Sequence, residues 1–352
     1  MKSHIKIDGR RIGPGYHPYI IAELSANHNG DINRAFRIME AAKMAGADAI
    51  KLQTYTQDTI TIDSKSEEFQ IKGGLWDGKT LYDLYTEAHM PWEWHKPLFN
   101  KAKELGITIF SSPFDNTAVD LLEKLNAPAY KIASFEIIDL PLIKRVAQTG
   151  KPMIMSTGMA NEIEISEAIE TARNNGCDDM VVLHCVSGYP APSSQYNLLT
   201  IQDMSRKFGV LTGLSDHTIG NATATASVAL GACVIEKHVT LDRSGGGPDD
   251  SFSLEPKELI CLCKDTKIAW ESIGDVNYST LESERGNAKF RRSLYVVSDV
   301  KKGEFFTLDN VRSIRPGYGM APKKLDAVIG QRANVDLKKG TAMKPEFISQ
   351  PI

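Results

Sequence analysis

The chain has 352 residues, of which 42% are hydrophobic and 24% charged, with a net charge of −3. These values exclude a collagenous, disordered or disulfide-stapled protein, and the length suits one large domain followed by a small one. No apolar run approaches the roughly 18 residues of a membrane-spanning helix, and the first residues lack the apolar core of a signal peptide, so we predict a cytoplasmic protein without a membrane association.

The residue pattern over 1–276 predicts a hairpin followed by a barrel. Residues 5–12 alternate around Asp8-Gly9, which is a strong hairpin signal, and we place this hairpin at the N-terminal mouth of the barrel. Short β-rich runs then alternate with segments of helical period, as in βαβ units. The predicted strands are 19–27, 47–55, 108–114, 129–136, 152–158, 180–189, 211–218 and 234–240, with helices such as 32–44, 92–105, 117–125, 140–147, 163–175, 222–230 and 257–273. Eight such pairs over about 255 residues predict an α/β protein with a (β/α)₈ TIM barrel.

The loop after the second predicted strand is unusually long. It runs from Thr56 to about Met90, and loops of this length inside a compact domain are usually either functional or disordered. We interpret it as a lid or specificity insert, with a disordered surface insertion as the alternative. Of the tryptophans in or beside it, we expect only Trp76 to reach a ligand.

A linker and a small β-rich domain follow the barrel. We place the barrel domain with its hairpin at 1–276, the linker, rich in Asn, Ser, Thr and Glu, at 277–288, and the last domain at 289–352. From Asn287 onwards thirteen Lys and Arg face six Asp and Glu, a balance of +7 that leaves −10 for the rest. Because the basic residues are scattered rather than clustered, we favour docking on an acidic surface over nucleic-acid binding.

Polar residues collect at the ends of the predicted strands. In a TIM barrel the active site lies at that face, so these residues are the site candidates. They are Glu23, Ser25, Asn27, His28, Lys51, Gln53, Ser111, Ser112, Asp115, Lys131, Ser134, Glu136, Ser156, Thr157, His184, Ser187, Tyr189, Ser215, Asp216, His217, Glu236, Lys237 and His238.

Two of these candidates are lysines within apolar runs, Lys51 and Lys131. Together with the hydroxyls of Ser134, Ser156 and Ser215, they predict a cationic pocket for a phosphate or a phosphorylated acid. A Schiff-base lysine, as in aldolases, is the first alternative, but two adjacent ammonium groups suit anion binding better. A pair of solvated surface lysines is the second.

Two histidines, His217 and His238, end neighbouring predicted strands. They are candidate ligands of one divalent ion, with Glu23 and Asp249 available beside them, although hydrogen-bonded core histidines are the alternative. The five cysteines lack CxxC spacing, so we interpret them as reduced, mostly buried thiols and place none at a matching strand end. Mn²⁺ or Mg²⁺ with oxygen ligands and water is therefore preferred to structural zinc.

Several of these motifs occur together in one known family. They are 21–30 (IAELSANHNG), 131–136 (KIASFE), 156–159 (STGM), 213–218 (GLSDHT) and 236–238 (EKH). In this combination the chain resembles the sialic acid synthase family over nearly its whole length. The tail from about Phe290 resembles the small antifreeze-like (SAF) domain, a β-clip fold, that this family carries after its barrel.

The resemblance implies a reaction and a role for each candidate. The family condenses phosphoenolpyruvate with an open-chain amino sugar to give a nine-carbon 2-keto acid, and releases phosphate by C–O cleavage. Glu23 and Glu136 would supply a base and stabilise a cation at C2, in either order, and a metal on His217 and His238 would polarise the aldehyde. The phosphoenolpyruvate site would comprise Lys51, Lys131, Ser134, Ser156, Ser187 and Ser215, and the sugar site Gln53, Tyr189, Asp249, Phe290 and Arg315.

The resemblance also bears on the acceptor and on assembly. Leu24-Ser25-Ala26 and the stretch 81–85 (LYDLY) depart from the N-acetylneuraminate enzymes and favour a 2,4-diacetamido-2,4,6-trideoxy sugar of the altrose series over N-acetylmannosamine. A neuraminic or legionaminic acid synthase is the alternative. Because the family swaps its antifreeze-like domain between subunits, we expect a homodimer in which Arg315 completes the partner's site.

A hypothesis from outside the enzymes is a non-catalytic carbohydrate- or ice-binding protein. It is suggested by the tail alone, and it leaves the Lys, Glu and His residues at the strand ends unexplained.

Overall fold

A computed structural model describes residues 2–349, and the chain divides after Gly274 into two compact units. The first contains a hairpin and a barrel, and the second is a small β-rich unit with its own core. Within the described residues, no helix combines the length and the apolarity that crossing a bilayer requires.

The predicted N-terminal hairpin is present. β1 (Ile5–Ile7) pairs antiparallel with β2 (Arg10–Ile12), and Asp8 and Gly9 between them have φ values of 47° and 80°. Positive φ at both positions is what a tight hairpin turn requires. Three isoleucines of the hairpin pack in one core cluster with residues that begin the barrel strands, such as Tyr19. The hairpin therefore covers the N-terminal mouth of the barrel.

Eight parallel strands close into a barrel in the described part of the chain, which confirms the predicted fold class. Each strand pairs with its neighbour in the sequence, and the last pairs with the first. The strands are β3 (Tyr19–Glu23), β4 (Ala49–Thr54), β5 (Thr108–Pro113), β6 (Tyr130–Ile132), β7 (Met153–Ser156), β8 (Met180–Cys185), β9 (Leu211–Ser215) and β10 (Val234–His238).

Helices connect the barrel strands. They are α1 (Ile32–Ala45), α2 (Gln57–Ile60), α3 (Leu81–Ala88), α4 (Trp92–Leu105), α5 (Asn116–Lys124), α6 (Leu140–Ala147), α7 (Glu162–Asn174), α8 (Leu199–Phe208), α9 (Ala222–Ala229) and α10 (Pro256–Ile273). The longer ones are amphipathic: α1, for example, buries Ile38, Met39 and Ala42 in the layer between helices and sheet. Asp115 caps α5 by accepting from the Ala118 backbone N–H at 2.9 Å, so this site candidate is a helix cap.

The long insert after β4 is a folded segment. Residues 70–80 form a small hairpin in which the Ile71 N–H donates to the Lys79 carbonyl at 2.9 Å. A capping box of Thr80 and Asp83 then starts α3. The Tyr82 hydroxyl donates to Asp58 at 3.0 Å, which ties α3 to α2. These contacts fix the face that the insert presents to the barrel.

The second unit is built around one antiparallel pair. β11 (Ser293–Val296) pairs with β12 (Val311–Ile314), and a one-turn helix α11 (Leu325–Val328) follows. Its buried side chains form a separate cluster, which includes Leu294, Phe306 and Met343. Ahead of β11, a 3₁₀ helix spans Glu282–Phe290.

Candidate active site

A cavity of about 300 Å³ opens where the barrel strands end, a volume within the range of small-molecule sites. Of the residues predicted for it from the barrel, all but Glu23 and Ser187 line its wall. These are Lys51, Gln53, Lys131, Ser134, Glu136, Ser156, Tyr189, Ser215, His217, His238 and Asp249. Ser25 and Glu236, two strand-end candidates without an assigned role, also line the cavity, and the structure adds Cys185 together with an apolar group described below.

Strand register brings the charged residues together at the floor of this cavity. Glu23 lies beside Lys51 on β4 and beside His238 on β10, while Glu236 lies beside Ser215 on β9. Side chains two apart on a strand share a face, so Glu236 and His238 both point inward. The parallel pairing of neighbouring strands thus places these charges side by side.

The floor is a buried network of two lysines and two glutamates. The Lys51 Nζ lies 2.9 Å from Glu236 Oε1 and 3.1 Å from Glu23 Oε2. The Lys131 Nζ lies 3.8 Å from the same Glu236 oxygen and donates to the Ser156 hydroxyl at 2.7 Å. Glu236 therefore bridges both lysines, a role that the sequence analysis did not assign to it.

The pKa values in this network are displaced in opposite directions. Burial raises the pKa of Glu23 to about 7, against the opposing effect of Lys51. For Glu236, burial is outweighed by Lys131 and Lys51, which lower its pKa. Burial also lowers the pKa of Lys131 to about 8. Near neutral pH the network therefore contains two ammonium groups, the ionised carboxylate of Glu236 and the partly protonated carboxyl of Glu23. The net charge is positive, which suits the binding of an anion.

Ser134 lines the cavity, and Ser187, which is not among the lining residues, contacts Ser134. The Ser134 and Ser187 hydroxyls are 2.9 Å apart, and Gly158 lies against both. A Cβ added at Gly158 would come within 2.5 Å of Ser134 Cβ and 2.8 Å of Ser187 Oγ. Only glycine lets these serines approach one another, and this glycine also has a φ of 51°.

Glu136 supplies a separate carboxyl group in the cavity. It follows β6 at the start of a 3₁₀ turn, Glu136–Ile138. Its buried Oε2 has no hydrogen-bond partner among the described residues. Burial raises its pKa to about 7, with the charge of Lys131 opposing part of that rise. A carboxyl in this state can take up or give up a proton near neutral pH.

His217 and His238 both line the cavity and lie next to each other, with ring centroids 5.4 Å apart. The Val186 carbonyl lies 2.9 Å from His217 Nδ1, which fixes the ring and leaves its Nε2 uninvolved in that bond. Burial lowers the pKa of His238 well below its usual value, and its buried Nδ1 has no hydrogen-bond partner within the described chain. Asp249 Oδ2 lies 3.9 Å from this nitrogen.

This donor set fits a divalent ion, because a neutral imidazole with an unpartnered buried nitrogen is a ready ligand. In the described residues, no group of three His, Cys, Asp or Glu side chains is arranged to hold a metal. The two histidines would therefore need water or substrate oxygens to complete a coordination sphere.

The sugar-site candidates divide between the two units. In the barrel, Gln53 donates to Glu23 at 2.9 Å and to the Ser25 hydroxyl at 3.0 Å, and Ser25 in turn donates to Asp249. The Tyr189 ring lies 4.4 Å from the His217 ring, centroid to centroid. Phe290 and Arg315 belong to the second unit, so their part in the site stays a prediction.

Some strand-end candidates serve the packing between sheet and helices. Lys237 alternates with the inward Glu236 and His238, and its Nζ donates to Asp216 at 2.8 Å and to the Thr218 carbonyl at 2.8 Å, away from the cavity. Conversely, Cys185 was missed: it ends β8, lines the cavity and contacts His217. Its position two residues before Ser187 was the available signal.

Comparison with known proteins identifies the family of the chain. The model of the NeuB family matches residues 38–278, and the model of the SAF domain matches 291–348. A pseudaminic acid synthase of Helicobacter pylori is 43% identical over 95% of this chain and 99% of its own length. An N,N'-diacetyllegionaminic acid synthase of Campylobacter jejuni is 39% identical over 91% of this chain and 97% of its own.

A solved structure shows the same architecture. The N-acetylneuraminic acid synthetase of Leptospira borgpetersenii, crystallised with citrate, superposes with a TM-score of 0.72 at 31% identity, over 82% of this chain and 96% of that one. The resemblance seen in the sequence motifs is thereby confirmed. The chain belongs to the NeuB family, the family of the sialic acid synthases, and carries a SAF domain after its barrel.

Proposed function

We propose that this chain is a pseudaminic acid synthase. It condenses phosphoenolpyruvate, water and the open-chain form of 2,4-diacetamido-2,4,6-trideoxy-altropyranose to a nine-carbon nonulosonic acid and phosphate. Similarity to a relative of that name supports the acceptor, since the legionaminic acid synthase is less similar over a smaller share of the chain. The observation that carries the reaction type is one cavity that combines two lysines, an unpartnered glutamate and two facing histidines.

The charged floor and the adjacent hydroxyls bind phosphoenolpyruvate. Lys51 and Lys131 offer ammonium donors to its carboxylate and phosphate. The hydroxyls of Ser134, Ser156, Ser187 and Ser215 supply further donors around them. Glu236, held between both lysines, offsets their mutual repulsion and limits the excess charge before the substrate arrives.

The two carboxyl groups whose pKa values are raised, Glu23 and Glu136, take different roles. Glu23 is fully buried, paired with Lys51 and held by Gln53, so it is fixed in place and provides negative charge for the cation that develops at C2. Glu136 has an unpartnered oxygen in the cavity, so it is free to accept a proton from the water that attacks C2.

The bonds change in a balanced sequence. C3 of phosphoenolpyruvate forms a bond to the aldehyde carbon, and the aldehyde oxygen takes up a proton. Water adds to C2 and gives a proton to Glu136. The bond from C2 to the bridging oxygen then breaks, the electron pair leaves with phosphate, and the C2 hydroxyl gives its proton to that phosphate as the ketone forms. The proton held by Glu136 replaces the one taken up by the aldehyde oxygen, so both protons of the water are accounted for.

We further propose that His217 and His238 hold a Mn²⁺ or Mg²⁺ ion. The support is the unpartnered His238 nitrogen and the facing rings. Such an ion would supply Lewis-acid polarisation of the aldehyde. The protein's own contribution is to orient His217 through the Val186 carbonyl and to lower the pKa of His238 by burial, which keeps that imidazole neutral.

Two wider parts of the account are also proposals. A homodimer with exchanged SAF domains, in which Phe290 and Arg315 complete the partner's sugar site, rests on the family resemblance and on the charge asymmetry of the sequence. The cytoplasmic location, with no nucleic-acid or membrane partner, rests on the composition and sequence pattern alone.

The proposed reaction is tested with phosphoenolpyruvate, Mn²⁺ and an acceptor panel, measuring phosphate and the mass of the product. The panel contains the altrose-series sugar, its manno isomer and N-acetylmannosamine. We expect phosphate release to depend on the acceptor and to be at least about tenfold faster with the altrose-series sugar. Faster turnover of either other acceptor would identify a legionaminic or neuraminic acid synthase instead.

A matched pair of variants ties the reaction to the cavity. Lys131→Met removes a buried cavity ammonium, whereas Lys101→Met removes a lysine paired with Glu40 on the surface. We expect the first to lose turnover and the second to keep it. Equal activity of the two would remove the cavity from the mechanism.

One observation favours a second function, a Schiff-base aldolase that uses pyruvate. Burial lowers the pKa of Lys131 to about 8, and nucleophilic lysines need such a lowered pKa. Borohydride treatment in the presence of pyruvate would trap that adduct. The proposed synthase predicts no trapped lysine and a loss of activity with a chelator.

A further inference from the structure

Apolar residues form part of the cavity lining, in addition to its charged floor. The residues of this apolar wall come mainly from the insert after β4: Ile60, Trp76, Leu84, Tyr85 and Ala88, with Phe114 after β5. None of them carries a charge, and only two carry a polar group. The binding of phosphoenolpyruvate uses the floor, so the wall is left for the acceptor.

Contacts with the barrel hold the wall in place. The Trp76 indole N–H donates to the Pro248 carbonyl at 3.1 Å, which links the insert to the loop after β10. The Tyr85 ring packs edge-on against Tyr55 with centroids 5.6 Å apart, and Tyr55 packs in turn against Phe114 at 5.1 Å. An aromatic path therefore runs from the insert onto the barrel strands.

The wall lies beside the catalytic groups. Trp76 lies 5.9 Å from the Tyr189 ring, which stacks on His217. Tyr85 and Glu136 line the same cavity. An acceptor whose aldehyde points to the floor would therefore extend its far end along the wall.

The chemistry of the acceptor matches such a surface. The 2,4-diacetamido-2,4,6-trideoxy sugar ends in a C6 methyl group and carries an acetamido methyl at C4. N-acetylmannosamine has hydroxyl groups at both carbons, and burying a hydroxyl against apolar side chains without a hydrogen bond costs free energy. A methyl group gains free energy from the same burial.

We infer that the apolar wall, formed mainly by the insert after β4, is the specificity surface that receives the methyl-bearing C4–C6 end of the acceptor. This inference rests on the proposed function. It assigns to the insert the exclusion of sugars with a hydroxyl at C6, whereas both stereoisomers of the trideoxy sugar present the same methyl groups to it.

The test compares the altrose-series acceptor with its 6-hydroxy analogue, which differs by one oxygen atom. We expect the unmodified protein to prefer the 6-deoxy sugar by at least about tenfold in kcat/KM. The double variant Trp76→Ala/Leu84→Ser should lower that preference at least about tenfold, with the KM for phosphoenolpyruvate changed less than about twofold. Thr86→Ala, on the exposed side of α3, is the matched control and should leave the preference unchanged.

Three results would overturn the inference. The first is equal turnover of both acceptors by the unmodified protein, a measurement that does not depend on any variant folding. The second is an unchanged preference in the folded double variant. The third is an absence of acceptor-dependent phosphate release with every sugar, which would remove the proposed function itself and is thus distinguishable from the other two.

Discussion

At the scale of single residues, the cavity shifts the pKa values of its three glutamates in different directions. Glu23 and Glu136 are both raised to a pKa of about 7, while Glu236, between two lysines, is lowered. Burial acts on all three, and the outcomes differ because Glu236 lies beside two ammonium groups, whereas Glu23 pairs with Lys51 alone and is repelled by Glu236. Glu236 therefore stays ionised as a scaffold, and the other two can change charge during a reaction near neutral pH.

Glu136→Gln tests the proposed base. We expect kcat to fall about 100-fold or more, with the KM for phosphoenolpyruvate nearly unchanged, because a general base contributes on that scale. In the unmodified protein kcat/KM should fall as the pH drops through about 7, since the carboxylate is then protonated. The exposed Glu167→Gln on α7 is the control, and unchanged turnover of Glu136→Gln would remove this residue from the mechanism.

The same variant makes a prediction about stability. The pKa of Glu136 is higher in the folded chain than the ordinary value of about 4.3 for an unfolded one, so ionising it costs folding free energy as the pH rises from about 4 to 7. Glu136→Gln escapes this cost of about 1 kcal/mol or more. Its Tm relative to the parent should therefore rise between these pH values, whereas a variant that is simply misfolded would show a deficit at every pH.

Gly158→Ala tests the hydroxyl cluster. The added Cβ would collide with Ser134 and Ser187, so we expect the KM for phosphoenolpyruvate to rise at least about tenfold. Gly150 has a φ of 71° and open space around it, so Gly150→Ala carries comparable backbone strain without the crowding. Equal KM values for the two variants would show that the serines do not bind this substrate.

Residue types at strand ends could be predicted from the sequence, and their directions only in part. Alternation along β9 and β10 separates inward Glu236 and His238 from outward Lys237, a rule available from the sequence. That Glu236 bridges Lys51 and Lys131 could not be predicted, because three strands supply these groups and the register between strands sets their distances.

At the scale of elements, the predicted strands overran the observed ones where the chain turns into the cavity. The run predicted at 129–136 contains β6, which ends at Ile132, and the Glu136 N–H then donates to the Ala133 carbonyl at 3.1 Å. Ser134 and Glu136 are reactive-site candidates because they leave the ladder here. Apolar periodicity alone does not mark such a turn.

Asp216→Ala tests the ion pair that joins the ends of β9 and β10. Lys237 is buried and would lose its carboxylate partner, and an uncompensated buried charge costs about 3–5 kcal/mol. Asp120→Ala, which breaks the surface pair with Arg145, should cost less than about 1 kcal/mol. Urea unfolding of both variants makes the comparison, and similar losses would mean that this pair does not stabilise the strand ends.

At the scale of the whole molecule, the order of elements was readable because each βαβ unit has a fixed hand and the eighth strand must meet the first. Closure, hairpin and SAF domain all agree with the pattern. The charge difference between the chain's halves is a property of the sequence as well, but it names no partner. The proposed exchange of SAF domains therefore needs its own test.

Mixing two inactive variants provides that test. Glu136→Gln disables the barrel's base, and Arg315→Ala disables the residue predicted to act in the partner's site. If the domains are exchanged, co-expression should restore about one quarter of the parent activity, because half of the dimers would contain one intact site of two. Activity no higher than that of the separate variants, or a monomer with full turnover by mass photometry, would contradict the exchange.

In the proposed reaction, this cavity adds water to C2 of phosphoenolpyruvate and releases phosphate by C–O cleavage. The direct measurement is turnover in H₂¹⁸O with the altrose-series acceptor, followed by mass spectrometry of the phosphate. We expect unlabelled phosphate, formed in the same amount as the nine-carbon acid. Phosphate carrying one ¹⁸O would show that water attacks phosphorus, and would contradict the roles given to Glu23 and Glu136.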